Sequence, residues 1–159
     1  MGDPAAVFLA YDIRGLVPEH LDDDLAKRIG GAFARFVRRH EPDTVRVVVG
    51  RDMRESGVEL AGAFAEGITS EGLGVVDLGL VSTDMLYFAS GHLDAPGAVF
   101  TASHNPADYN GIKLCLSSAK PVGTDSGLAE IQADLNGVEA NREPGGGTTT
   151  TLDLLDDFR

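Results

Sequence analysis

The sequence predicts an α/β fold of the three-layer α/β/α type, built on a mixed, mostly parallel sheet. Three observations carry that expectation. Short apolar, β-branched runs alternate with longer segments of helical periodicity from Val7 to Asn136. Most of the intervening segments are long enough to be crossover helices, which join parallel strands. Only Gly97–Thr101 and Ile112–Leu116 are joined without a helical pattern, so these two are expected to pair antiparallel around a large loop.

The elements follow in order. Val7-Phe8-Leu9-Ala10-Tyr11 is the expected first strand. Asp22 to His40 spaces Leu25, Ile29, Ala32, Phe33, Phe36 and Val37 as one helical face. Its first turn carries Asp22, Asp23 and Asp24 and its end carries Arg35, Arg38 and Arg39, an order that complements the helix dipole. Val45 to Val49 is a buried strand closed by Gly50. Glu55 to Ser70 reads as helix and Leu73 to Leu78 as strand. Ser82-Thr83 starts a helix that runs to about Gly91. Gly97–Thr101 and Ile112–Leu116 are the last strands, and Thr124 to Asn136 is a closing helix.

Residues 1–137 therefore form one expected domain. Residues 138–150, with Gly145-Gly146-Gly147 and a threonine run, read as a flexible linker. Residues 151–159 resume an amphipathic pattern, Leu152-Asp153-Leu154-Leu155-Asp156-Asp157-Phe158, and are expected to be the start of a truncated second domain.

Composition narrows the function classes. The 159 residues include 13 basic and 25 acidic side chains, a net charge of −12. Such a surface repels phosphate backbones and anionic lipid, so neither nucleic acid nor a membrane is an expected partner. A single cysteine, Cys115, excludes an internal disulfide and fits a cytoplasmic setting. Gly72 and Gly74 do not complete a dinucleotide fingerprint.

The chemistry concentrates in Thr101-Ala102-Ser103-His104-Asn105-Pro106, followed by Asn110-Gly111-Ile112-Lys113. The segment follows an apolar strand, and ligands of open α/β sheets bind outside the carboxyl ends of strands. A polar turn is the plain alternative, since Asn-Pro and Asn-Gly are turn dipeptides. Ser103 and His104 do not form a hydrolase pair, because adjacent extended residues point to opposite sides and no Gly-x-Ser-x-Gly elbow is present. Phosphoryl transfer remains: a serine carries a phosphoryl group when cations neutralise it. His104, Lys113, Arg14 in Tyr11-Asp12-Ile13-Arg14-Gly15, and Arg51 in Gly50-Arg51-Asp52-Met53-Arg54 are the cations that strand ends would bring to one edge.

These three motifs, in this order, resemble the α-D-phosphohexomutases, and within them the domain that opens a phosphomannomutase/phosphoglucomutase. The resemblance covers residues 6 to 137. It implies that Ser103 is the phosphoserine, which gives its phosphoryl group to a substrate hydroxyl and is remade from a hexose 1,6-bisphosphate intermediate. It implies Mg²⁺ as cofactor, with the Ser103 phosphate as this domain's ligand. Lys113 resembles the family's acid/base and charge-stabilising lysine, Arg14 an assisting arginine, and His104 and Asn105 the residues flanking the serine. Tyr11 matches a residue on the rim of the substrate cleft. Arg51 stands either as a substrate contact or, with Asp52, as a brace. The Tyr-Asp-Ile-Arg-Gly opening is unlike the Gly-Thr-Asp-Gly type loop of phosphoglucosamine mutases. The family's Asp-Gly-Asp-x-Asp-Arg magnesium loop, its Gly-Glu-x-Ser-Gly sugar loop and its distal phosphate loop are absent. The resemblance thus implies an isomerase of mannose and glucose phosphates that needs the remaining domains of the same protein, with this chain inactive alone. The alternative is a stand-alone, non-catalytic module that binds sugar phosphates.

Overall fold

The computed structural model describes residues 2–9, 12–102, 104–136 and 147–152. The expected linker 138–150 and second-domain start 151–159 fall largely outside them, as do Tyr11 and Ser103. A seven-stranded sheet has helices on both faces. In chain order the elements are α1 (Pro4–Val7), β1 (Ile13–Leu16), α2 (Asp23–His40), β2 (Arg46–Arg51), α3 (Ser56–Ser70), β3 (Gly74–Leu80), α4 (Thr83–Leu93), β4 (Gly97–Phe100), β5 (Tyr109–Leu116), β6 (Lys120–Pro121), α5 (Leu128–Ala133) and β7 (Thr149–Thr151).

The strand order is β1-β5-β4-β2-β3-β7, with β6 on β5. β2 pairs parallel with β3 and β4, and β3 with β7. β5 pairs antiparallel with β1, β4 and β6. Every strand but β5 therefore points the same way. The expected mixed, mostly parallel sheet is present, and the β4–β5 pairing is antiparallel as the loop between them demands.

Local chemistry explains the helix ends. Asp22 caps α2, its Oδ1 accepting from the Leu25 N–H at 2.8 Å. Ser82 caps α4 in the same way, accepting from the Met85 N–H. The first expected strand is corrected. Pro4 at a helix start followed by two alanines makes residues 4–7 one helical turn, with Val7 in the core. The edge strand is instead Ile13–Leu16, joined back to Phe8 by an isolated antiparallel bridge to Ile13. The closing helix is also shorter than expected: Gly127, at φ +137°, separates a 3₁₀ turn at Thr124–Ser126 from α5.

Strand alternation divides the core into two layers. Ile13, Val47, Val49, Ala98, Phe100, Ile112 and Leu114 face α2, α3 and α5. Val48, Val99 and Cys115 face α4. Phe36, Phe33, Phe64 and Phe100 run as a ladder from α2 to the last residue of β4, with ring centroids 6.4, 6.1 and 5.3 Å apart. α2 and α3 approach closely through Gly30 and Gly67. A Cβ on Gly30 would lie 2.1 Å from the Phe64 carbonyl oxygen, and one on Gly67 would lie 2.0 Å from that of Lys27. Buried Arg35 ties this layer together, donating to Glu71 beyond α3 and to Asp134 beyond α5, each at 2.8 Å.

Candidate functional site

The site is built where β2 and β4 end side by side. The Asp52 N–H donates to the Phe100 carbonyl at 2.9 Å, so the loops that follow the two strands start in contact. β5 then returns from the second loop and lies between β4 and β1. At Gly111 the three strands crowd: a Cβ there would meet the Ile13 carbonyl oxygen at 2.3 Å and that of Thr101 at 2.9 Å. Glycine lets β1 and the end of β4 close on β5, and that closure carries Arg14 to the loop.

Arg14 lies inside β1 and not beyond it, opposite Gly111. Lys113 lies on β5 opposite Val99. Both are out of phase with the α2/α3 layer, so both stand on the α4 face of the sheet. Asp12, only 5 % exposed, brings them together. Its Oδ2 accepts from Arg14 Nη2 at 2.6 Å and from Lys113 Nζ at 3.3 Å. Arg14 Nη1 reaches across to Asn105 Oδ1 at 2.8 Å, and Arg14 Nε is buried with no hydrogen-bond partner among the described residues. Two cations thus share one carboxylate and leave a net positive charge beside Asn105, in a chain whose overall charge is negative.

The loop has its own supports. The Thr101 N–H donates to Gly111 O and the Asn105 N–H to Ala102 O. Asn110 is fully buried, donating from Nδ2 to Ser56 Oγ and accepting at Oδ1 from the Gly111 N–H. Arg54 was not singled out from sequence. It donates to the carbonyl oxygens of Pro106 and Tyr109 from Nη1, at 2.6 and 2.9 Å, and to that of Asn105 from Nη2, at 2.8 Å. Asp52 orients it, accepting from the Arg54 N–H and standing 3.4 Å from its Nε.

Of the residues expected from sequence, Arg14, Lys113 and Asn105 come together directly. His104 is exposed and makes no hydrogen bond or ion pair with the described residues. Arg51 does not join them. It is in phase with Val47 and Val49, and it lines a cavity of about 220 Å³ with Val58 and Ala61 of α3. Its Nη1 is buried without a hydrogen-bond partner among the described residues. The sequence signal for this was present, since alternation along Val47-Val48-Val49-Gly50-Arg51 puts Arg51 on the α3 face. On the opposite face, Cys115 is fully buried; burial pushes its thiol pKa up, with hydrogen bonding to Ser90 and to the Gly97 backbone offsetting part of the rise.

Comparison with known proteins decides the family. Residues 5–142 match the family described as phosphoglucomutase/phosphomannomutase, alpha/beta/alpha domain I. The chain belongs to the phosphoglucomutase/phosphomannomutase family. As a domain I it is similar to a phosphomannomutase of Vibrio cholerae, 43% identical over 127 residues, which are 79% of this chain and 27% of that protein. It is likewise similar to a phosphomannomutase of Klebsiella pneumoniae, 44% identical over 79% of this chain and 77% of that one. Among solved structures, a phosphoglucomutase/phosphomannomutase family protein from Burkholderia thailandensis superposes with a TM-score of 0.85 at 36% identity, over 99% of this chain and 35% of that one. A putative phosphomannomutase from Thermus thermophilus gives 0.79 at 32% identity, with the same coverage. This domain I spans about a quarter of the Vibrio relative and about a third of the solved structures.

Proposed function

We propose that this chain is the phosphoserine-bearing domain of a phosphohexomutase that interconverts hexose 1-phosphates and hexose 6-phosphates of mannose or glucose. In this reading residues 1–137 are the catalytic domain I, 138–150 the linker, whose Thr149 and Thr150 pair with β3 together with Thr151, and 151–159 the start of the next domain. Ser103 is the phosphoryl carrier. In the forward step the bond from Ser103 Oγ to phosphorus breaks as a bond from a sugar hydroxyl oxygen to phosphorus forms. The hydroxyl proton leaves to a base, an acid protonates the departing serine oxygen, and the serine hydroxyl so formed is rephosphorylated from the other end of the hexose 1,6-bisphosphate. The observation that carries the reading is the pairing of Arg14 and Lys113 on Asp12, with Arg14 also bonded to Asn105 of the serine loop. Such a pair neutralises a phosphoserine, which carries about −1.5 to −2 charge at neutral pH, and stabilises the charge of a transferring phosphoryl group. Lys113 is the acid/base group, His104 and Asn105 flank the nucleophile, and Tyr11 lies on the substrate rim.

The described residues do not by themselves fit Mg²⁺. Among them no group of three or more His, Cys, Asp or Glu side chains could hold a metal ion. The site carboxylates Asp12 and Asp52 already face Arg14, Lys113 and Arg54. A divalent cation in this reaction would take the Ser103 phosphate from this domain and its other ligands from elsewhere in a longer protein. Among the described residues no helix is long and apolar enough to cross a membrane, and a cytoplasmic enzyme of sugar phosphates is the reading proposed.

The test is made on the native polypeptide that carries this sequence. An antibody raised against the chain should detect a band several times larger than 16.7 kDa, with phosphoserine at position 103 by mass spectrometry. Mutase activity should disappear in Ser103→Ala. A native band at 16.7 kDa that binds a hexose phosphate without converting it would replace the enzyme reading with that of a stand-alone binding module.

A further inference from the structure

We propose that Arg54 is a positioning residue of the loop after β4, fixing the carbonyls of Asn105, Pro106 and Tyr109 and through them the shape of the loop that carries Ser103. The inference rests on the phosphohexomutase reading and assigns a role to a side chain that the motifs alone leave unexplained.

The three arginines near the ends of β1 and β2 are used in three different ways. Arg14 spends one nitrogen on Asp12 and one on Asn105, and keeps Nε buried without a partner among the described residues. Arg51 points under α3. Arg54 alone turns its guanidinium onto the backbone of the loop after β4, with donors on the carbonyl oxygens of Asn105, Pro106 and Tyr109. Its side chain is 11% exposed. A planar guanidinium has donors in a fixed fork, so three carbonyls bound to it are fixed relative to one another. An ammonium on a flexible stem does not impose that geometry.

The arc is held on both sides, upstream by backbone hydrogen bonds and downstream by Arg54 and Arg14. Upstream of Ser103, Thr101 is held on Gly111, and buried Ala102 accepts from the Asn105 N–H at 3.0 Å. Downstream, the Asn105 carbonyl is on Arg54 and its side chain is on Arg14. Asp52 fixes the root of the clamp, because its own N–H is bonded to the end of β4. The loop therefore gains part of its shape from a cation that follows the neighbouring strand. In-line phosphoryl transfer depends on such alignment, and a displacement of about 1 Å is worth roughly a hundredfold in rate.

The experiment compares Arg54→Gln and Arg54→Lys in the native polypeptide that carries this sequence. Arg54→Gln should lower kcat by roughly a hundredfold with KM for the sugar phosphate unchanged, because the loop and not the binding groups is displaced. Arg54→Lys should recover about a tenth of the lost rate, restoring charge but not the fork. In ¹H–¹⁵N spectra of this chain, the Ala107 and Asn110 amides, which share peptide planes with the Pro106 and Tyr109 carbonyls, should shift in Arg54→Gln. Those of Phe33 and Phe64 in the core should stay. A kcat within threefold of wild type, loop amides that do not move, or core amides that move as far as loop amides would each overturn the role. Should the native polypeptide lack mutase activity, the phosphohexomutase reading fails, and the same spectra still decide whether Arg54 sets the loop.

Discussion

Replacing Asp12 with asparagine should weaken the fold and strengthen anion binding at once. The side chain keeps its shape and one acceptor oxygen, but the charge shared by Arg14 and Lys113 is lost. Each contact changes from a charge-assisted hydrogen bond to one with a neutral acceptor, a loss of about 1 kcal/mol apiece. The cations are 28% and 27% exposed, so water recovers part of the difference. The net cost is about 1–2 kcal/mol. With a urea slope of about 2 kcal/mol/M, the unfolding midpoint should fall by roughly 0.5–1 M. The opposite change is expected for phosphate. Removing one negative charge several ångströms from a bound dianion relieves on the order of 1 kcal/mol even in a largely aqueous dielectric, or about a fivefold gain in affinity. Urea denaturation followed by circular dichroism reads the first effect. Titration calorimetry with glucose 1-phosphate at low salt reads the second, and the gain should shrink at higher salt. If Asp12→Asn binds glucose 1-phosphate no better than wild type, the paired cations are not an anion site. If stability is also unchanged, Asp12 does not hold them.

Other perturbations test the scaffold. Arg35→Ala should cost about 3–5 kcal/mol by leaving Glu71, 3% exposed at its side chain, without its buried partner, whereas a double replacement of Arg35 and Glu71 by methionine should recover most of that; a urea double-mutant cycle checks both. Arg51→Met should be neutral or stabilise by up to about 1 kcal/mol, because it removes a buried donor with no acceptor; a loss above that in thermal unfolding would mean that the guanidinium is satisfied. The folded-state pKa of Cys115 lies above its unfolded value, so the folded chain holds that proton more tightly. Its contribution is complete below about pH 8.5 and is lost as pH rises through the folded value. Stability should therefore decline on the alkaline side, and Cys115→Ala should flatten the decline measured by urea midpoints between pH 8 and 10.

How legible this was in the sequence depended on range. Helical periodicity and β-branched runs located α2, α3, α4 and β2 to β5 within a few residues, because these elements bury a face that the pattern must encode. β1 escaped because Ile13-Arg14-Gly15-Leu16 is too short to display alternation, while the stronger apolar run just before it mimics a strand. The loop motif marked the site, and Arg14, Lys113 and Asn105 do meet there. Arg54 and Asp12 stand inside the motifs, but nothing in the pattern signals their partners. A charged residue in a polar loop has no periodicity, and the partners of Arg54 are backbone oxygens of residues more than fifty positions away. Arg51 is different: its phase with Val49 is readable in the sequence and puts it on the α3 face.

The reversal of β5 bears on how this loop can change. Because β5 runs back beside β4, the stems of the serine loop lie side by side whatever its length, and the sheet imposes no span on it. Closing a longer loop costs little, about 0.6 kcal/mol for each doubling. An insertion between Asn105 and Tyr109 should therefore leave folding nearly intact while moving the carbonyls off Arg54. On the role proposed for Arg54, the guanidinium sets loop length in this domain, and variants selected only for solubility or expression would drift in length here without any sign of damage until the loop itself was probed.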